Sequence, residues 1–223
     1  MMTPAEQPEV RALYEGVARI LNTRCANGMV VGNCRCGVYL FYDYDGEPIY
    51  VGKTWESLRT RIRRHLTNQR TDAVAMHVLD PFEVAEIEMW PFWDLSESKN
   101  KISQESKELL SRAEFTVYQM ALEQSTFGAT LNEGNIPSKD MVEMPPSIRG
   151  FILASELRSV RKHPDLRIAR RAQTFAELAR VISERQVKVN LRTTLLVQAQ
   201  RLEYLARSRL DEVQGNPNQS DGL

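Results

Sequence analysis

The chain has 223 residues, 42% of them hydrophobic and 26% charged, and its 29 basic and 29 acidic side chains cancel at neutral pH. This composition excludes a disordered or fibrous chain, and the length suits one or two globular domains with a sizeable core. No apolar run approaches the roughly 20 residues of a membrane helix, and an odd set of 3 cysteines is a poor disulfide framework.

The N-terminal Met1-Met2-Thr3-Pro4-Ala5-Glu6 lacks the basic start and apolar block of a signal peptide, so a cytoplasmic location is expected. Val10, Leu13, Tyr14, Val17, Ile20 and Leu21 recur at helical spacing and predict an amphipathic helix over 8–21. Asn27-Gly28 and Gly32-Asn33 mark turns. Cys25, Cys34 and Cys36 fall in this region without a Cys-x-x-Cys pair, so they read as free thiols and not as zinc ligands.

Val38-Tyr39-Leu40-Phe41-Tyr42 is β-branched and aromatic and predicts a strand. Asp43-Tyr44-Asp45-Gly46 supplies a turn, with Gly46 free to take a positive φ, and Pro48 to Gly52 is the return strand. Such a hairpin brings Tyr39 and Tyr50 together and lets Lys53 leave beside them. Ser57 can cap a helix whose Leu58, Ile62 and Leu66 lie four apart on a buried stripe. Arg61 and His65 share a different face of that helix, and Arg59, Arg63 and Arg64 make it locally basic.

A polar connection follows at 68–72, then a short helix over 73–79, with His77 as a local structural residue, ended by Asp80-Pro81. Phe82 to Trp90 predicts a third strand, with Ala85, Ile87 and Met89 on one face and Glu86 and Glu88 on the other; Trp90 and Trp93 read as packing residues. A long helix over 103–124 carries the stripe Leu109, Leu110, Ala113, Val117, Met120 and Ala121. Glu114 lies beside that stripe with no cation one turn away, so a partner must come from elsewhere, and a metal ion is one such partner.

Residues 134–146 are linker-like. Beyond them, 148–162, 174–185 and 189–209 show helical spacing, and 215–223 read as a disordered tail. The expected organisation is an N-terminal helical arm (1–36), a core (37–135), a helical extension (136–214) and the tail. The expected fold class is α+β, with a small three-stranded antiparallel or mixed sheet flanked by helices. The neutral total charge hides a split, because Arg149 to Arg209 holds 14 basic and 5 acidic residues, a net of +9 that the rest of the chain balances. These basic residues read either as solvated helix faces or as contacts to DNA phosphates.

Gly37-Val38-Tyr39, Tyr50-Val51-Gly52-Lys53 and Leu58-x-x-Arg61, at this spacing, resemble the GIY-YIG nuclease superfamily over roughly 37–135. The Arg61-x-x-x-His65 pair is most similar to the restriction-endonuclease branch. The resemblance implies a DNA endonuclease that uses Mg²⁺ or Mn²⁺ and no small-molecule cofactor. It implies Tyr39 as general base or proton relay, Lys53 and His65 as its support, and Tyr50 orienting water or phosphate. It also implies Arg61 as the phosphate clamp, Glu114 as the metal-binding glutamate of the long helix, and Asn132 as a brace. Glu123, nine residues before Asn132, is the rival metal ligand, because the gap from Glu114 to Asn132 is eighteen residues. Arg59, Arg63 and Arg64 are the expected DNA contacts. A double-strand cut by one-site subunits needs two copies or two binding events, which makes a homodimer a natural arrangement. A structure-specific repair or mobile-element nuclease, and a non-catalytic DNA-binding protein, are the alternatives.

Overall fold

The computed structural model describes residues 8–67, 78–96, 103–132, 134 and 136–215. The helices are α1 (Pro8–Leu21), α2 (Leu58–Leu66), α3 (Trp93–Ser96), α4 (Gln104–Gln124), α5 (Ser155–Arg161), α6 (Pro164–Glu184) and α7 (Val189–Gly215). The strands are β1 (Gly37–Tyr42), β2 (Pro48–Thr54), β3 (Glu86–Pro91) and β4 (Ile148–Phe151), in sheet order β2-β1-β3-β4 with every neighbouring pair antiparallel. The expected connection at 68–72, the expected helix at 73–77 with His77, and the tail after Gly215 lie outside the described residues.

The sheet has four strands, not the three expected. The fourth, Ile148–Phe151, stands where the spacing predicts the start of a helix over 148–162. Four residues carry too little periodicity to choose a state, and the choice is made by pairing with β3, which sets Ile148 opposite Met89 and Arg149 opposite Glu88. Arg149 then meets Glu86 at 2.8 Å and Glu88 at 3.8 Å, a cross-strand charge match invisible to local spacing. The third strand likewise starts at Glu86 and not at Phe82. Asp80 caps a 3-10 turn over Pro81–Glu83 by accepting from the Phe82 amide at 2.9 Å. The helix expected at 174–185 starts ten residues earlier, at Pro164, where His163 caps it through Asp165 N. Other local signals agree with the fold. Gly46 turns the hairpin at φ 78°, Ser57 caps α2 through Thr60 N, and Ser103 caps α4 through Ser106 N.

Alternation along the strands sorts side chains to two faces. Tyr39, Phe41, Tyr50, Ile87 and Met89 face α1, α2, α6 and α7, packing with Leu13, Val17, Leu58, Ile62, Leu178 and Val197. Val38, Leu40, Tyr42, Val51 and Trp90 face α4 through Leu110, Ala113, Val117 and Ala121. Residues 136–215 thus supply both an edge strand and part of the main core.

The C-terminal basic residues divide: Arg180, Arg185, Arg192 and Arg207 are exposed, as a solvated face expects, whereas Arg161, Arg167 and Arg201 are buried against acidic partners, which neither expectation included. Asp43, at the end of β1, accepts from Arg167, Arg171 and Arg201. Glu83 pairs with Arg167 at 3.4 Å and Arg171 at 3.0 Å, and Arg161 reaches Glu9 at 2.6 Å. Arg167 is only 1% exposed. Part of the charge split along the sequence is therefore an internal docking of Arg167, Arg171 and Arg201 onto an acidic turn, because buried charges must find partners. Among the described residues no helix is long and apolar enough to cross a membrane.

Candidate active site

Strand β2 is an edge of the sheet, and a cleft of about 480 Å³ runs along it. Its walls carry residues 50–54 of β2, then Trp55, Glu56, Arg61, Glu114, Asn132, Gly134, Ile136 and Pro137. An edge strand has no neighbour on one side, so side chains from both faces of the sheet reach the same hollow. Arg61 comes from α2 on one face and Glu114 from α4 on the other.

The β1–β2 register sets Tyr39 opposite Gly52 and Phe41 opposite Tyr50. The Tyr39 and Tyr50 rings stack with centroids 6.5 Å apart, as the hairpin reading expected. Tyr39 is 0% exposed, and its hydroxyl lies against the backbone of Gly52, where an added Cβ would come within 2.3 Å of it. Gly52 itself lines the cleft, so the missing side chain keeps the phenol oxygen beside the wall. Gly37 allows a second close approach, since a Cβ there would meet Leu58 of α2 at 2.9 Å.

Helix α2 presents two of its residues to the phenol. His65 Nε2 is 2.8 Å from the Tyr39 hydroxyl, and Arg61 Nε donates to it at 3.4 Å. Burial alone would lower the Arg61 pKa, yet Tyr39, Tyr50 and Glu56 around it raise the value above that of a free guanidinium. The other arginines of this helix are differently occupied. Arg59 donates to the Leu21 carbonyl at 3.2 Å and to Asn22 at 2.8 Å, tying α2 to the end of α1, and Arg64 pairs with Glu56 at 2.5 Å. Arg63 is exposed.

Lys53 does not support the phenol. The register turns it to the α4 face, where its ammonium meets Glu114 at 2.7 Å and Ser111 at 2.9 Å. Glu114 therefore finds its cation on β2, not on its own helix. Glu123 is exposed near the end of α4 and is not among the residues lining the cleft. Asn132 pairs with the outer side of the edge strand, accepting from Val51 N at 3.1 Å and donating to Val51 O at 2.7 Å. Leu131 N adds a bond to Ile49 O at 2.7 Å. Trp55 and Glu56 are cleft residues that the sequence reading passed over. Their position between Lys53 and the capping Ser57 was the available signal.

Among the described residues no group of three His, Cys, Asp or Glu side chains forms a ready metal cage. An open, polar cleft with two carboxylates, Glu114 paired with Lys53 and Glu56 paired with Arg64, nonetheless fits a hard divalent cation such as Mg²⁺. That ion keeps several waters and takes one or two carboxylates together with substrate phosphate. The family model described as the GIY-YIG catalytic domain matches residues 35–108, which include Tyr39, Tyr50, Lys53, Arg61 and His65 and end within α4 before Glu114. Neither the curated proteins nor the solved structures contain a match to the chain. Residues 35–108 thus match the GIY-YIG catalytic domain, a nuclease module that implies DNA as partner and, typically, a divalent metal.

Proposed function

We propose that the protein is a DNA endonuclease of restriction type, dependent on Mg²⁺ or Mn²⁺, acting in the cytoplasm on double-stranded DNA. The observation that carries the reading is the meeting of Arg61 and Glu114, from opposite faces of the sheet, on one cleft along β2. The Arg61 and His65 pair on one helix supports the restriction assignment.

Hydrolysis of a phosphodiester needs an activated water, a held phosphate and charge compensation on its oxygens. A tyrosine is a poor base unless cations or donors support its phenolate. The Arg61 Nε bond to the Tyr39 hydroxyl and His65 Nε2 at 2.8 Å from it support that role. Tyr39 takes the water proton beside Gly52, Tyr50 orients the water or phosphate from the wall, and Arg61 clamps the phosphate. Glu114 would hold the metal, which when bound adds positive charge against the non-bridging and leaving oxygens. Lys53 keeps that carboxylate aimed at the cleft, Asn132 braces the strand that carries Tyr50, and Arg63 meets a flanking phosphate. Two copies supply the two sites of a double-strand cut.

The test is nicking of supercoiled plasmid with and without Mg²⁺. Wild type nicks, and Glu114→Ala falls by about 100-fold or more. Equal activity in both variants rejects the metal assignment and sends the search to Glu123→Ala. No cleavage of any DNA by wild type rejects the nuclease reading. The competing reading is a repair or mobile-element nuclease that recognises DNA shape, and the exposed Trp55 on the cleft favours it.

A further inference from the structure

We propose that Trp55 is a stacking platform for an unpaired nucleobase of the bound DNA, so that the cleft takes duplexes carrying a nucleotide out of the helical stack. The inference rests on the nuclease reading above, in its shape-recognising form, and names the substrate feature which that site selects.

Single exposed apolar side chains are ordinary on any surface. Trp55 differs by its place. It is 42% exposed, stands on the wall of the cleft, and belongs to neither hydrophobic cluster of the molecule. The chain is held on either side of it: Glu56 N donates to Thr54 Oγ1 at 3.1 Å, and Ser57 caps α2. Glu56 is held in turn by Arg64. The indole is thus presented by a turn that is already organised, and little ordering remains for the moment of binding.

The neighbours of the ring select the ligand chemistry. Lys53 Nζ lies 6.0 Å from the ring centroid, and Arg61 lines the same cleft. A flat aromatic face with Arg61 on the same cleft matches a nucleotide, base on the ring and phosphate on the guanidinium, while Lys53 stays paired with Glu114. In an intact duplex both faces of every base are covered by its neighbours. The ring can therefore stack only on a base that has left the stack, and DNA with a base already unpaired spares the cost of extruding it. The about 480 Å³ of the cleft lies within the size range of small-ligand sites, about 300–1,000 Å³.

The experiment measures binding of the full chain in EDTA, where cleavage is off, to a perfect duplex and to the same duplex with one unpaired base. Wild type binds the second more tightly, and Trp55→Ala loses about 5- to 100-fold on it and no longer distinguishes the two. Trp55→Phe restores the preference, while Trp55→Leu, apolar but not aromatic, does not. Tryptophan emission is a second readout. Trp90 is buried and Trp93 packs on the core, so quenching by DNA comes from Trp55 and vanishes in Trp55→Phe while binding remains. Equal wild-type affinity for the two duplexes, or a preference that survives Trp55→Ala, overturns the proposal. Plasmid nicking in Mg²⁺ separates the two failures: nicking with no unpaired-base preference leaves a nuclease without this platform, and no nicking removes the nuclease reading itself.

Discussion

Gly52 sets how closely the phenol of Tyr39 can lie to the cleft. A methyl group there would sit 2.3 Å from the Tyr39 oxygen, closer than any real contact, and the obstacle is a ring packed in the core. Gly52→Ala should therefore shift Tyr39 and destabilise the protein by about 1–3 kcal/mol, the cost of overpacking. Chemical denaturation measures it, and a midpoint equal to that of wild type would refute the packing. Tyr39→Phe removes the hydroxyl and keeps the ring. It should cut single-turnover cleavage by about 10²–10⁴-fold, the worth of a general base, and leave DNA affinity in EDTA unchanged. Undiminished cleavage would exclude Tyr39 as the base. Tyr39, Tyr50, Arg61 and His65 were legible as candidates because triplet spacing and helical period place them, while Asn132 rested on the family resemblance alone. The partner of Lys53 was not, because it depends on where α4 crosses β2.

The edge strand is the element on which the site is built. An unpaired edge offers its backbone to any passing chain. Here Ile49 and Val51 turn their outer groups to Leu131 and Asn132, so a side-chain amide completes the ladder where a fifth strand would otherwise sit. The same contact holds β2 between Arg61 and Glu114. Asn132→Leu keeps the bulk and leaves the Val51 amide and carbonyl without their partner, at a cost of about 1–3 kcal/mol. Thermal denaturation and plasmid nicking should both show the loss; if nicking falls while the melting point is unchanged, the bracing role is wrong and Asn132 acts on substrate. At the other edge, β4 shows why local reading missed a strand: Ile148 to Phe151 is defined by its pairs on β3 and by Arg149 finding Glu86.

Across the whole molecule, the arginines of α6 and α7 hold the acidic hairpin turn that carries Asp43 and Asp45. Burial alone would lift the Asp45 carboxyl, but its hydrogen bond to Arg167 and the charges of Arg167, Arg171 and Lys162 hold it below the ordinary value. A depressed folded pKa gives stability that is present above the unfolded value of about 3.9 and is lost as pH falls through the folded one. Asp45 is partly solvated, so its share is about 1 kcal/mol or less. The melting gap between wild type and Asp45→Asn should be open at pH 7 and close as the pH falls below the unfolded value and through the depressed folded one. A gap independent of pH would show that charge is not its origin.

By itself the sequence determined the hairpin, the capped basic helix, the long helix with its stripe and the free thiols. Each rests on signals within a few residues, such as turn glycines, capping serines and periods of 2 or 3.6. Tertiary structure alone decided the fourth strand, the burial of Arg161, Arg167 and Arg201, the Lys53–Glu114 pair and the place of Trp55 on the cleft. Those depend on contacts between residues far apart in the chain, which local spacing does not encode. Charge partners and strand neighbours are chosen only when the whole core closes.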